Sequence, residues 1–160
     1  MVPSLRLSHS SGVASASLSA PYRLSEQARS EYLVKHQTHN WFNLRPDIVI
    51  KDKNEPAFIL DTKWKRIDSR LSDGRSKYNI SQADMYQLFA YGQKYLNGKG
   101  EVFLVYPAHE HFQRPLAQFD YTENLHLWAI PYDLKTDCLL TPDNCEMHEI
   151  FNFTEISRAA

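Results

Sequence analysis

Four nearly unbroken apolar runs dominate the sequence: Ile48-Val-Ile50, Ala57-Phe-Ile-Leu60, Val102-Phe-Leu-Val-Tyr106 and Leu125-His-Leu-Trp-Ala-Ile130. Runs of this length without strict alternation belong to strands covered on both faces, so the chain must build a sheet with material packed on each side of it. At 160 residues there is room for one domain of ordinary size, and 42% hydrophobic residues suffice for a core, which excludes a wholly disordered chain. Pro46 precedes the first run and belongs at a strand start, since it lacks an N–H for a ladder. Asp52-Lys-Asn-Glu-Pro56 reads as a polar hairpin loop between the first two runs.

Between the second and third runs lies the clearest helix. Ser81 with Asp84 resembles a capping box, the helix runs from about Gln82 to Leu96, and Asn97-Gly98 ends it. Its apolar face is read as Met85, Leu88, Phe89 and Leu96. Residues 66–79 are polar and contain Gly74, which predicts a mobile loop. Ser25 is placed to cap a front helix with Leu24, Ala28 and Tyr32 on one stripe, while residues 32–37 serve equally well as a strand. Residues 1–22 hold seven serines and no acid, and read as a poorly ordered Ser-rich arm before a domain over residues 23–160. The pattern describes an α/β fold with a central sheet and helices packed on it.

The remaining composition narrows the class. A formal net charge of -1 excludes a polycation, so a nucleic-acid partner would have to be met by a local basic patch. Cys138 and Cys145 have neither CxxC spacing nor a second pair, and read as free thiols. The longest apolar run is far short of a membrane span, and no signal peptide is legible, so a soluble cytoplasmic protein without membrane attachment is expected.

The chemistry concentrates at Asp61-Thr62-Lys63. Strand alternation projects Asp61 and Lys63 to one side and Thr62 to the other. In an antiparallel pair the start of one strand lies beside the end of the next, which brings Asp47 close to Asp61. Two carboxylates and the Thr62 carbonyl are hard oxygen ligands of the kind Mg²⁺ prefers, and a neighbouring ammonium suits phosphodiester hydrolysis. An acid-x-Lys triplet is by itself cheap, with roughly one or two expected per chain of this length. Asp133-Leu-Lys135 is a second one, without an upstream Pro-Asp partner. Gln87 and Tyr91 are four apart and share a face of the helix that follows Asp61. The loop with Lys63, Lys65, Arg66, Arg70, Arg75 and Lys77 against Asp68 and Asp73 is net positive and suits phosphate contact as well as plain solvation. His109 and His111 lack a third metal ligand, and Trp41, Trp64 and Trp128 read as core or edge packing.

Leu44-Arg-Pro-Asp-Ile-Val-Ile50, Ile59-Leu-Asp-Thr-Lys-Trp-Lys65, Ala83-Asp-Met-Tyr-Gln-Leu-Phe-Ala-Tyr91 and Leu104-Val-Tyr-Pro107, in this order, resemble the McrC family. McrC proteins are nuclease components of the 5-methylcytosine-specific restriction system, with a C-terminal domain of the PD-(D/E)xK type. The resemblance covers roughly residues 30–135. It implies a restriction-endonuclease-like core, a mixed central sheet flanked by helices, and Mg²⁺-dependent DNA endonuclease activity with Mn²⁺ as substitute. It implies Asp47, Asp61 and Lys63 as the catalytic set, with metal at Asp47, Asp61 and Thr62. The Gln87-x-x-x-Tyr91 pair is similar to the one in the RecB-like branch; the helix face would let Gln87 bond a scissile phosphate oxygen or the attacking water, with Tyr91, Lys65 and Arg66 in supporting or DNA-contacting places. The front helix of such nucleases often carries a further acid, here Glu26 or Glu31. A McrB-like GTPase is the implied partner, although nothing in this sequence resembles the region that engages it. A non-catalytic DNA-binding or assembly remnant, or a repair or recombination nuclease of the same fold, would carry the same blocks.

Overall fold

The structure, a computed structural model, describes residues 5–7, 14–16, 21–26, 28–136 and 138–142. Within the Ser-rich arm, β1 (Leu5–Leu7) and β2 (Ala14–Ala16) pair antiparallel. The main sheet contains β3 (Tyr22–Glu26), β6 (Ile48–Asp52), β7 (Glu55–Thr62), β8 (Gly100–Pro107), β9 (Phe119–Asp120), β10 (Leu125–Asp133) and β11 (Cys138–Leu139). Its order is β11-β10-β8-β7-β6-β3, with β9 pairing β10. The β7–β8 and β8–β10 pairs are parallel and the others antiparallel, so the sheet is mixed. β4 (Glu31–His36) and β5 (His39–Leu44) form a separate two-stranded hairpin.

The apolar runs lie where their composition requires. β6, β7, β8 and β10 are the inner strands, and their side chains alternate between two buried clusters. On one face, Val49, Ile59, Val102, Leu104 and Leu127 meet Leu88, Tyr91 and Tyr95 of α1 (Gln82–Tyr95). On the other, Ile50, Phe58, Leu60, Phe103, Trp128 and Ile130 form a second cluster. Each fully buried side chain of this size contributes roughly 1.5–3 kcal/mol, so both faces matter to stability. The β6–β7 turn uses Lys53 and Asn54, both at positive φ, as a two-residue hairpin requires.

The expected mixed sheet is present, but α1 is the one α-helix among the described residues, where flanking helices were expected. It begins as its sequence predicts: the Ser81 hydroxyl accepts from the Asp84 N–H at 3.1 Å. The C-terminal turn closes with Gly98, at φ 73°, donating its N–H to the Gly92 carbonyl. Gly92 itself lets the helix approach the sheet, since a Cβ there would fall 2.7 Å from the Leu125 side chain.

Three local expectations are corrected. Among the described residues no front helix forms: β3 makes five consecutive pairs with β6, Ser25 facing Val49, and the strand alternative read over residues 32–37 is β4. Pairing to β6 satisfies a row of backbone groups that a helix would leave open at the sheet edge. Of the expected α1 face, Leu88 and Leu96 are buried and Met85 packs against the same cluster, but Phe89 stands at the rim against Tyr121, and Tyr91, Gly92 and Tyr95 complete the buried face. Tyrosine can occupy this face because its hydroxyl finds partners: Tyr95 donates toward the Ala28 and Leu44 carbonyls. The 66–79 loop is pinned by buried Ile67, by the Tyr78 N–H on the Leu71 carbonyl and by Asp73 accepting from the Arg75 and Ser76 N–H groups.

Candidate active site

The β6–β7 register brings Ile48 opposite Leu60, and Asp47, just before it, lies beside Asp61-Thr62 at the end of β7. Asp47 precedes β6 directly after buried Pro46, and its Oδ2 accepts two bonds from Thr62, from the N–H at 2.8 Å and from the hydroxyl at 2.6 Å. Lys63 continues the parallel ladder by donating its N–H to the Val105 carbonyl, which fixes the backbone just beyond the strand end. Its ammonium lies 2.6 Å from Asp61 Oδ2 and 2.7 Å from Gln87 Oε1. Gln87 Nε2 in turn donates to the Tyr91 hydroxyl at 2.9 Å. Asp47, Thr62, Asp61, Lys63, Gln87 and Tyr91 therefore form one connected chain of contacts across the sheet end and the face of α1.

Burial decides the electrostatics. Asp61 is only 3% exposed, and its carboxyl is pushed above the usual range by desolvation and by the Asp47 charge, with Lys63 opposing. Burial also raises the Tyr91 phenol, and the Asp61 and Asp47 charges add to it, which keeps that hydroxyl neutral as a hydrogen-bonding group. The Tyr106 hydroxyl, raised by burial and by the Asp84 and Asp61 charges, is buried without a hydrogen-bond partner among the described residues. Two neighbouring carboxylates, one of them the buried Asp61 with its carboxyl raised by desolvation and the Asp47 charge, are a donor set that a divalent cation fits. Among the described residues no group of three or more His, Cys, Asp or Glu converges to hold a metal, so a backbone oxygen or water would have to complete the set.

Asp84 was legible only as a helix-start residue, and its second role was missed. Its carboxylate pairs with Lys65 through Oδ2, and Oδ1 lies 3.8 Å from the Lys63 ammonium. Burial works against its ionisation, but the bonds from Lys65 and Ser81 and the lysine charges outweigh this, and its carboxyl stays below the usual range. An acid at the third helical position, reachable by two lysines that leave a strand end, is the signal that could have found it.

The other candidates fall outside the cluster. Arg66 is exposed on the loop. Arg70 clamps Asp68 at 3.0 and 2.7 Å, which removes one cation from the net-positive loop. Glu31 opens β4 opposite Leu44, and the Glu26 side chain lies outside the described residues, as does that of Cys138 and the whole of Cys145. His109 is structural: Nε2 meets the Ile67 carbonyl at 2.7 Å, which makes it the donor, and Nδ1 accepts from the His111 N–H. Of the tryptophans, Trp128 is buried and donates to Glu101, whereas Trp41 and Trp64 are about half exposed. In the second triplet, the Lys135 N–H caps the Asp133 carboxylate within a local turn. No helix among the described residues is long and apolar enough to cross a membrane.

The family model described as the McrBC 5-methylcytosine restriction system component matches residues 11–107. A chain of the Thermococcus gammatolerans assembly of McrB AAA+ hexamers with bound McrC shares the fold, with a TM-score of 0.51 and 19% identity. That match covers 82% of this chain and 27% of the other, so this chain spans about a quarter of the relative's length. No curated protein matches. The chain belongs to the McrBC 5-methylcytosine restriction system component family.

Proposed function

We propose that the chain is a PD-(D/E)xK-type, Mg²⁺-dependent DNA endonuclease domain of a McrC-like restriction subunit. The observation that carries this reading is the link from Asp47 through Thr62 to Asp61 and Lys63 at one end of a rigid sheet. Asp47 and Asp61 would hold the metal, with the Thr62 carbonyl beside them. Mg²⁺, when bound, supplies acidification of water and neutralisation of charge on the phosphodiester.

The chain's own groups then have distinct tasks. The Asp61 carboxylate and the Gln87 carbonyl oxygen hold the Lys63 ammonium in one place, so its charge is aimed before substrate arrives. Lys63 orients the attacking water or stabilises negative charge as it develops on the phosphate. Gln87 has both ends of its amide engaged, by Lys63 and by Tyr91, which favours positioning of Lys63 over direct contact with the phosphate. Asp84 keeps Lys65 beside the site as a second cation for the DNA backbone.

By likeness to the assembly that contains McrC, a McrB-like GTPase is the proposed partner. The isolated chain should nick plasmid DNA slowly in Mg²⁺ or Mn²⁺, without methylation dependence, and Asp61→Ala should remove the activity. Robust cleavage confined to methylated sites by this chain alone would contradict the division of labour, and cleavage by Asp61→Ala would contradict the site.

A further inference from the structure

The β4–β5 hairpin stands apart from the main sheet and displays apolar surface without an evident structural need. Leu33 and Val34 on β4 and Trp41 and Phe42 on β5 are all exposed, Phe42 at 67%. An isolated two-stranded ribbon is marginal in water, and large exposed apolar side chains grouped together mark a binding surface. Phe42 is also held at φ 59°, a left-handed backbone that a bulky residue rarely adopts. The ladder pairs Tyr32 with Asn43 and Val34 with Trp41 but skips Leu33 and Phe42 between them. Strain that presents an aromatic ring to solvent points to function. Trp41 lies against His36, with ring centroids 4.6 Å apart and the planes tilted by 32°.

Charge and continuity identify what covers it. Residues 28–45 carry Arg29, Lys35 and Arg45 against Glu31 alone, with His36 and His39 at the tip, in a chain whose overall charge is -1. β5 ends at Leu44, three residues before Asp47, so the ribbon leads directly into the short segment that carries this carboxylate. Its root is anchored: Asn43 Nδ2 donates to the Arg29 and Glu31 carbonyls, and Tyr95 of α1 donates to the Leu44 carbonyl. Six-residue strands reach about 20 Å, and a two-stranded ribbon fits a DNA major groove about 12 Å wide.

We propose that the β4–β5 hairpin is a DNA-binding arm that lies along a groove of the duplex held for cleavage, with Trp41 and Phe42 against the bases and Lys35 and Arg45 on flanking phosphates. The inference rests on the nuclease reading of the adjoining site.

The test uses the full chain and a labelled DNA duplex in Ca²⁺, followed by fluorescence anisotropy. Phe42→Asn tolerates the left-handed backbone while removing the ring, and is combined with Trp41→Ala. The double variant should bind roughly ten- to a hundredfold more weakly, with thermal stability and metal affinity unchanged. Lys35→Ala should lower the salt dependence by about one released counterion. Unchanged affinity in a folded double variant would overturn the proposal, and so would loss of self-association at unchanged DNA affinity, which would make the ribbon a protein interface. Wild-type chain that binds duplex through the hairpin but never cleaves with metal would sink the nuclease reading alone. Wild-type chain that binds no duplex would sink both.

Discussion

Asp47 Oδ2 takes both hydrogen bonds that Thr62 can give it, one from the backbone and one from the side chain, at 2.8 and 2.6 Å. One carboxylate oxygen is thereby committed to fixing the orientation of the group, and Thr62 does not engage the other. Removing only the hydroxyl tests this. Thr62→Val should weaken Mn²⁺ binding about tenfold, in line with loss of a bond that orients a ligand, while Thr62→Ser stays near wild type. Equal affinity for both variants would show that the backbone bond alone suffices.

The burial of Asp61 has a cost that appears only without metal. Its folded pKa lies above the unfolded value of 3.8, so the folded state is favoured by this group below that value and loses the contribution as pH rises through the folded pKa. Asp61→Asn cannot ionise. The metal-free variant should match or exceed the wild-type melting temperature at neutral pH, with any advantage shrinking as pH falls toward 3.8. A variant several degrees less stable at neutral pH would mean that the Lys63 pair outweighs desolvation.

The two acid-x-Lys triplets make opposite predictions. Lys63 reaches Asp61 and Gln87, whereas Lys135 sits in a local turn where its N–H meets Asp133. Lys63→Ala should slow cleavage by about a thousandfold or more with metal binding nearly intact, because the ammonium acts on the reacting groups. Lys135→Ala should leave the rate alone. A reversal of the two results would move the site to the other triplet.

Gln87 should behave as a positioning residue. Gln87→Ala should lower kcat roughly ten- to a hundredfold with metal affinity and stability unchanged, since one oriented hydrogen bond to Lys63 is lost. Gln87→Glu keeps an acceptor for the ammonium and should recover part of the rate. Equal rates for the two variants would leave the Lys63 contact without a role.

Much of this was readable because apolar runs and caps are local signals. Ile48-Val-Ile50, Phe58-Ile-Leu60 and the Ser81 cap each specify their element from a few neighbouring residues, and a two-residue turn followed by a one-residue register shift at Ile50/Lys51 brings Asp47 to the strand end at Asp61-Thr62. The front of the chain was misread because its decisive partner is distant: Ser25 looks like a helix cap until Val49 pairs with it. The share of Tyr91 and Tyr95 in the buried face of α1 was hidden because their hydroxyls need partners on Gln87, Ala28 and Leu44. Asp84 was read for its backbone alone, since its lysine partners leave a strand roughly twenty residues earlier. The exposed aromatics of the hairpin follow no burial period at all, so Trp41 passed for packing.

Calorimetric titration with Mn²⁺ and Mg²⁺, wild type beside Asp61→Ala, tests the central claim most directly. The account predicts saturable binding by the wild type, no measurable binding by the variant, and a fold that survives EDTA, because the two apolar clusters rather than an ion hold the sheet together. Binding of equal strength by Asp61→Ala, or none by the wild type, would contradict a metal site shared by Asp47 and Asp61.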